Sequence, residues 1–287
     1  MLGNEQSVLA SDYAYCEAII KQYSNSFYQA FSVLPQEKAQ AVYAIYAFCR
    51  TADNCVDEND TIAAKTVALN EMVDSLNRFA FNQEDDHPLW RALRDVFNRF
   101  EMDILPFYDQ LTGQLMDIHF AQPDSLEAME AYSYYVAGSV GRMLLPIIAS
   151  EAKEECTNVA VSLGIAMQIT NILRDVGEDY TKLGRIYLPK QEMQLADYTP
   201  AHIAKYEVTE GFKLLWERMA SRAEALYDEF LDKIELFDQD SRFAVLSSAL
   251  IYRAILTSVR QNGYDCLRRR NYVSTHQMIQ ILSEATG

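Results

Sequence analysis

The chain has 287 residues, 49% of them hydrophobic, enough to bury a sizeable core in one large domain. Ten glycines and seven prolines are few for this length and argue against an all-β chain that turns every ten residues. The formal charge of −16, from 25 Lys+Arg against 41 Asp+Glu, repels phosphate backbones and argues against a nucleic-acid partner. An anionic small substrate then requires metal ions or local arginines to invert the potential at its site. The five cysteines (Cys16, Cys49, Cys55, Cys156, Cys266) form no C-x-x-C pair and read as small buried hydrophobes in a reducing compartment. Met1–Ala10 has no signal-peptide core, and no run of about eighteen apolar residues is uninterrupted, so no transmembrane helix is expected. These readings point to a cytoplasmic globular protein.

In chain order, apolar residues recur at helical spacing almost throughout. Pro35 predicts a helix start, and Val42, Ile45, Tyr46 and Cys49 continue one stripe towards Asp57. The polar run Asp57–Thr61 ends that helix and caps the next. Asp85-Asp86-His87-Pro88 opens a helix carrying Trp90, Leu93 and Phe97, and Pro123-Asp124-Ser125 opens one running through Tyr132 and Tyr135. Val159 to Asp179 reads as a single long helix leading into a loop with Lys182-Leu183-Gly184-Arg185. Two amphipathic helices follow between about Glu210 and Arg260, and a short one closes the chain near Gln277. No repeat or linker appears. The expected architecture is all-α, a single-domain helical bundle over residues 1–287.

Two stripes of oxygen ligands stand out. Tyr43, Tyr46, Arg50, Asp53 and Asp57 are spaced 3, 4, 3 and 4, on one helix face. Carboxylates one turn apart stand roughly 6 Å from each other along the axis, suited to one divalent ion or two neighbouring ones. Gln168, Asn171, Asp175 and Asp179, spaced 3, 4 and 4, form the second stripe. Oxygen-only ligation suits Mg²⁺, which shares its shell with waters and substrate phosphates. A D-x-x-x-D on a solvated helix face is common and holds no metal by itself. Here the surrounding residues (Ala44, Ala47, Phe48 and Val56; Ile169, Ile172 and Leu173) are apolar, and a helix apolar on nearly all sides is buried. Buried carboxylates need positive compensation, which Arg50 supplies in part and metal ions more fully. The two helices are expected to face each other across a cavity.

Other metal chemistries fail on detail. An EF-hand from Asp57 would need Gly where Ile62 stands and an acid where Ala68 stands. Only one Glu-x-x-His occurs, Glu84 to His87, against the two of a di-iron bundle. Four scattered histidines build no zinc site, and no phosphate loop or dinucleotide fingerprint is present.

Asn171-Ile-Leu-Arg174-Asp175-Val-Gly-Glu-Asp179 resembles the N-x-x-R-D-x-x-x-D metal motif of the squalene/phytoene synthase family. Arg50-Thr-Ala-Asp53-Asn54-Cys-Val-Asp57-Glu58 looks like its partner aspartate motif, although many members carry two adjacent acids where this chain has Asp53-Asn54. Tyr23-Ser24-Asn25-Ser26-Phe27, Tyr132 to Gly141, and Arg185-Ile186-Tyr187-Leu188-Pro189 extend the resemblance over nearly the whole chain, within which it looks most like the dehydrosqualene-forming branch.

The resemblance implies a class I isoprenoid synthase bundle with a central cavity and three Mg²⁺ ions, with NADPH not expected. It implies head-to-head condensation of two farnesyl diphosphates through presqualene diphosphate to dehydrosqualene, as in C30 carotenoid biosynthesis. Phytoene or squalene formation are the alternatives within the family, and an acidic helical scaffold is the alternative outside enzymes. Carried over by position, Asp53, Asp57, Asn171, Asp175 and Asp179 are metal ligands or their supports. Tyr23, Ser24, Asn25, Ser26, Tyr46, Arg50, Gln168, Arg174, Arg185 and Tyr252 contact substrate, with Tyr46, Arg50, Tyr132, Arg174 and Tyr187 catalytic. An insoluble product implies peripheral membrane contact.

Three features beyond these motifs bear on the same reading. Eighteen tyrosines and thirteen phenylalanines suit a cation kept from water, though core packing accounts for most of them. Gly138 and Gly141 read equally as a groove for a prenyl tail or as close helix–helix contact. Arg268-Arg269-Arg270 reads as a solvated helix end that could reach a diphosphate.

Overall fold

The computed structural model describes residues 2–284, and among these there are helices and turns but no strand. The chain divides into two compact units interleaved in sequence.

The first unit comprises residues 1–119, 139–157 and 235–245. It holds α1 (Leu2–Tyr23), α2 (Asn25–Phe31), α3 (Gln36–Asp57), α4 (Ile62–Ala80), α5 (Pro88–Arg99), α6 (Leu105–Ile118) and α8 (Ser139–Ile148). Side chains cap these helices where the sequence predicts. Thr61 accepts from the Ala64 amide at 3.1 Å, and His87 Nδ1 from the Leu89 amide at 3.3 Å with Pro88 in the first turn. Pro35 sits one place earlier than expected, as the N-cap of α3. The middle of α3 is buried almost all round, through Ala41, Val42, Tyr43, Ala44, Ile45, Ala47 and Phe48. Its alanines let α1, α5, α6 and α8 approach, so α3 is the central helix of this unit. Phe48 packs edge-on to Phe107 at 4.9 Å and to Trp90 at 6.0 Å, closing an aromatic core with Phe79 and Phe97.

The second unit comprises residues 120–138, 158–234 and 246–287. It contains α7 (Leu126–Ser133), α10 (Val176–Glu178), α11 (Lys190–Leu195), α12 (Pro200–Ala204), α13 (Glu210–Leu231), α15 (Thr275–Glu284), and the larger parts of α9 (Lys153–Arg174) and α14 (Arg242–Gln261). Ser125 caps α7 through the Ala128 amide at 3.3 Å. Phe212, Trp216, Met219, Tyr227 and Phe230 of α13 form its buried stripe. Arg260 of α14 binds Glu217 and Glu224 of α13 at 2.6–3.1 Å. Glu154–Arg174 and Arg242–Gln261 have the length and mean hydropathy of a membrane span, but about half of each apolar window is buried within the fold. All five cysteines are unpaired.

Candidate active site

The first stripe survives intact because α3 stays helical through Asp57. Arg50 lies with its guanidinium 4.3 Å over the Tyr23 ring and 3.7 Å from Asp57, and its Nε is buried without a hydrogen-bond partner. Tyr46 is half-buried beside it in sequence register. Asp53 accepts hydrogen bonds at Oδ1 from the side-chain amides of Gln114 (2.6 Å) and Gln110 (3.3 Å) on α6. Burial pushes its carboxyl up to about 7; Asp57 and Asp117 add repulsion that Arg50 offsets in part. Asp57 does not share this enclosure. It is the last residue of α3, where the chain turns out into Glu58–Asp60, and its side chain is 48% exposed. Of the two carboxylates expected to be buried, Asp53 is half-buried and Asp57 exposed.

Tyr23 ends α1, and Ser24 breaks the chain with φ −149° and ψ 80° before α2. Ser24 occupies the N-cap position, yet its hydroxyl makes no capping bond. Asn25 is exposed and Ser26 half-buried in the first turn of α2.

The second stripe is not one helix. α9 ends at Arg174, Asp175 takes φ −107° and ψ 13°, and a single turn (α10) leads into a π-helical turn over Asp179–Leu183. Two long-range hydrogen bonds explain the break. The Gly177 N–H donates to the Cys266 carbonyl at 3.1 Å, and the Leu173 carbonyl accepts instead from the Trp216 indole at 3.1 Å. The bond that would have continued the helix is thus replaced at both ends. Gly177 is required there, since a Cβ would collide with the Leu267 carbonyl. The Asp175 and Asp179 amides still donate to Asn171 and Asp175 carbonyls at 2.9 and 2.8 Å, so the stripe is bent rather than lost. A π-turn of this kind often marks a functional site.

Along that bent stripe, Gln168 Oε1 accepts from Asn171 Nδ2 at 3.3 Å. Arg174 grips the Asp175 carboxylate with Nε and Nη2 at 2.8 and 2.5 Å. Burial works against the Arg174 charge, but Asp175 outweighs it and holds the guanidinium above its ordinary value. Burial also raises the Tyr252 phenol, and Arg174 opposes that rise. Arg270 brings a second guanidinium 3.4 Å from Asp175 and 4.0 Å from Glu178.

Gly184, with φ +66°, reverses the chain so that the Arg185 amide returns to the Asp179 carbonyl at 3.1 Å. Arg185 is buried, donates to the Tyr187 hydroxyl at 2.9 Å and lies 5.5 Å from the Phe120 ring centre. Tyr187 stacks on Tyr132 at 5.3 Å. A cleft of about 370 Å³ beside the stripe is lined by Arg174, Glu178, Lys182, Arg268, Arg269 and Arg270 among others. This local excess of cations meets the requirement set by the net charge of −16. A larger cleft of about 790 Å³ around Lys38, Asp238 and Asp240 is lined by none of the predicted site residues.

Taken unit by unit, the donors are oxygen atoms of the kind Mg²⁺ takes. The side-chain oxygens of Asn171 and Asn54 are buried without a hydrogen-bond partner, and Asp53 offers an enclosed carboxylate. Among the described residues no three acidic, histidine or cysteine side chains converge into a closed metal cage.

Within the first unit the fold brings together Tyr23, Arg50, Asp53 and Asp57; within the second, Gln168 with Asn171, Arg174 with Asp175 and Tyr252, and Arg185 with Tyr187 and Tyr132. Sequence reasoning missed Gln110, Gln114 and Phe120, because a lone amide or ring carries no pattern. It also assigned Arg268–Arg270 to a helix end, whereas they lie in the loop after α14.

The chain matches known proteins over nearly its whole length. The family model for squalene/phytoene synthase matches residues 20–277. Phytoene synthase 2, chloroplastic, of Solanum lycopersicum is 36% identical over 96% of this chain and 89% of its own. The 4,4'-diapophytoene synthase of Staphylococcus haemolyticus (strain JCSC1435) is 34% identical over 93% and 94%. The crystal structure of a dehydrosqualene synthase in complex with ligand superposes with a TM-score of 0.92 at 43% identity, covering 97% and 96%. Phytoene and diapophytoene synthases are thus equally close in sequence, and the fold is that of the isoprenoid synthases. This chain belongs to the squalene/phytoene synthase family, prenyl-transferring enzymes of isoprenoid biosynthesis.

Proposed function

We propose that the protein condenses two molecules of farnesyl diphosphate head to head, through presqualene diphosphate, to dehydrosqualene, with three Mg²⁺ ions and without NADPH. The observation that carries the reading is Asn171's unpartnered buried oxygen one turn before an Asp175 flanked by two guanidiniums, just past the end of α9. That is a place for a cation and a polyanion together. The 43% identity to a dehydrosqualene synthase over nearly both whole chains supports the C15 substrate. The 36% identity to a phytoene synthase makes geranylgeranyl diphosphate the second reading.

Bound magnesium would neutralise the diphosphate and lower the barrier to its departure. Asp53, Asp57, Asn171, Asp175 and Asp179 would hold it. Arg50, Arg174 and Arg185 serve as diphosphate contacts, as do Tyr46, Ser24, Ser26 and Gln168. Breaking the C–O bond of one farnesyl unit sends its electron pair out with the diphosphate. The double bond of the second unit captures the resulting allylic cation, and proton loss closes the cyclopropane. A second ionisation opens that ring, and a further proton loss ends the sequence. The stacked rings of Tyr132 and Tyr187 present π faces that stabilise a cation without attacking it. We assign the reaction to the cytoplasm, with product leaving by peripheral membrane contact.

The test is product analysis by gas chromatography–mass spectrometry after incubation with Mg²⁺ and farnesyl diphosphate, with and without NADPH. Dehydrosqualene in both tubes is the expected result. Squalene formed only with NADPH overturns the termination step. A product formed only from geranylgeranyl diphosphate overturns the chain length.

A further inference from the structure

Gln110 and Gln114 stand one turn apart on α6 and are 1% and 5% exposed. Carboxamides are seldom so completely buried, and each must find partners. Both direct Nε2 to the same atom, Asp53 Oδ1, at 3.3 and 2.6 Å. A carboxylate oxygen accepts about two such bonds, so Oδ1 is saturated. No hydrogen bond from the described residues reaches Oδ2. The arrangement leaves the other Gln110 atom, Oε1, buried and unpartnered. Two amides therefore converge on one oxygen of a carboxylate while Gln110 forgoes part of its own hydrogen bonding, a preference that packing of the core alone does not explain.

We propose that Gln114, assisted by Gln110, is a positioning residue that pins Asp53 by Oδ1 and so presents Oδ2 as a one-oxygen ligand to the divalent ion carrying the substrate diphosphate. The inference rests on the magnesium reading given above, and it assigns a role to α6 that no motif in the chain announces. Outer-shell partners of this kind typically change metal affinity about 10–100-fold when removed. The amides need not touch substrate. They fix the carboxylate rotamer before the ion arrives, so the ion does not bear the cost of ordering it.

The experiment is a magnesium titration of the binding of farnesyl thiodiphosphate, an unreactive analogue, followed by calorimetry on the parent protein and on Gln114→Met and Gln110→Met. Methionine keeps the volume and removes the amide. The expected result is a rise of about tenfold or more in the half-saturating Mg²⁺ for Gln114→Met. A smaller rise is expected for Gln110→Met, whose bond is longer, with analogue affinity restored at saturating Mg²⁺ in both. A purely structural role would lower the melting temperature and leave the magnesium midpoint in place, which overturns the proposal. Should Gln114→Met fail to fold, the Gln110→Met midpoint decides by the same criterion. A parent protein that binds the analogue with no need of Mg²⁺ overturns the metal reading itself, an outcome distinct from an unmoved midpoint in a magnesium-dependent parent.

Discussion

Asp53 holds its charge at a disadvantage. Its carboxyl rises from 3.8 to about 7, first through burial and then through Asp57 and Asp117. A raised carboxyl means that the folded state binds the extra proton between those values. Without metal, this group's contribution to stability therefore falls as pH rises from about 4 through about 7, and the penalty is complete above 7. Asp53→Asn should remove that slope and stabilise the metal-free protein at pH 8 by on the order of 2 kcal/mol. Thermal melts of both proteins from pH 4.5 to 8 measure it, and parallel curves would refute the assignment. The same substitution should abolish turnover and the stabilisation that Mg²⁺ and diphosphate give the parent. The cost of the buried charge is then the energy that metal binding relieves.

At the scale of elements, the decisive feature is the interruption of the second stripe. The helical pattern of Val159–Asp179 contains no proline, and of its two glycines Gly164 lies within α9 while Gly177 lies at the break. The break comes from the Cys266 carbonyl and the Trp216 indole taking over the helix's own hydrogen bonds. Gly177→Ala should cost about 1–3 kcal/mol, because the nearest obstacle is the Leu267 backbone rather than a flexible side chain. Chemical denaturation measures that loss, and diphosphate-analogue affinity should fall with it, since Asp175 and Asp179 flank the turn. At Gly138 the contacts favour close packing. A Cβ there would press on Tyr134 at 3.1 Å and Val161 at 3.3 Å. Gly164, under the Ala137 carbonyl, leaves even less room. Gly138→Leu should therefore lower the melting temperature, and a stable variant with a changed product length would restore the groove reading.

At the scale of the whole molecule, the net charge and the local charge are opposite in sign. The arginines at Asp175 are partly spent on ion pairs with the acids they flank. A polyanion without magnesium thus meets a repulsive field outside and a half-neutralised patch within. The protein should pass unretained through heparin at 50 mM NaCl, and retention that salt reverses would contradict this balance.

The periodicity of 3.6 was sufficient for the all-α class, and local caps for the starts of α4, α5 and α7, because Thr61, His87 and Ser125 act within three residues of themselves; the start of α9, expected at Val159, lies at Lys153. The resemblance placed the ligand stripes by motif, and α3 keeps its spacing because nothing distant competes for its hydrogen bonds. Only the tertiary structure decided which carboxylate of the first stripe is exposed, where the second stripe bends, and that Gln110 and Gln114 meet Asp53 while Arg270 meets Asp175. Each of those depends on partners dozens of residues away in sequence, as Gln114 is 61 from Asp53 and Trp216 is 43 from Leu173. No local propensity encodes such pairs: they exist only once the helices have packed.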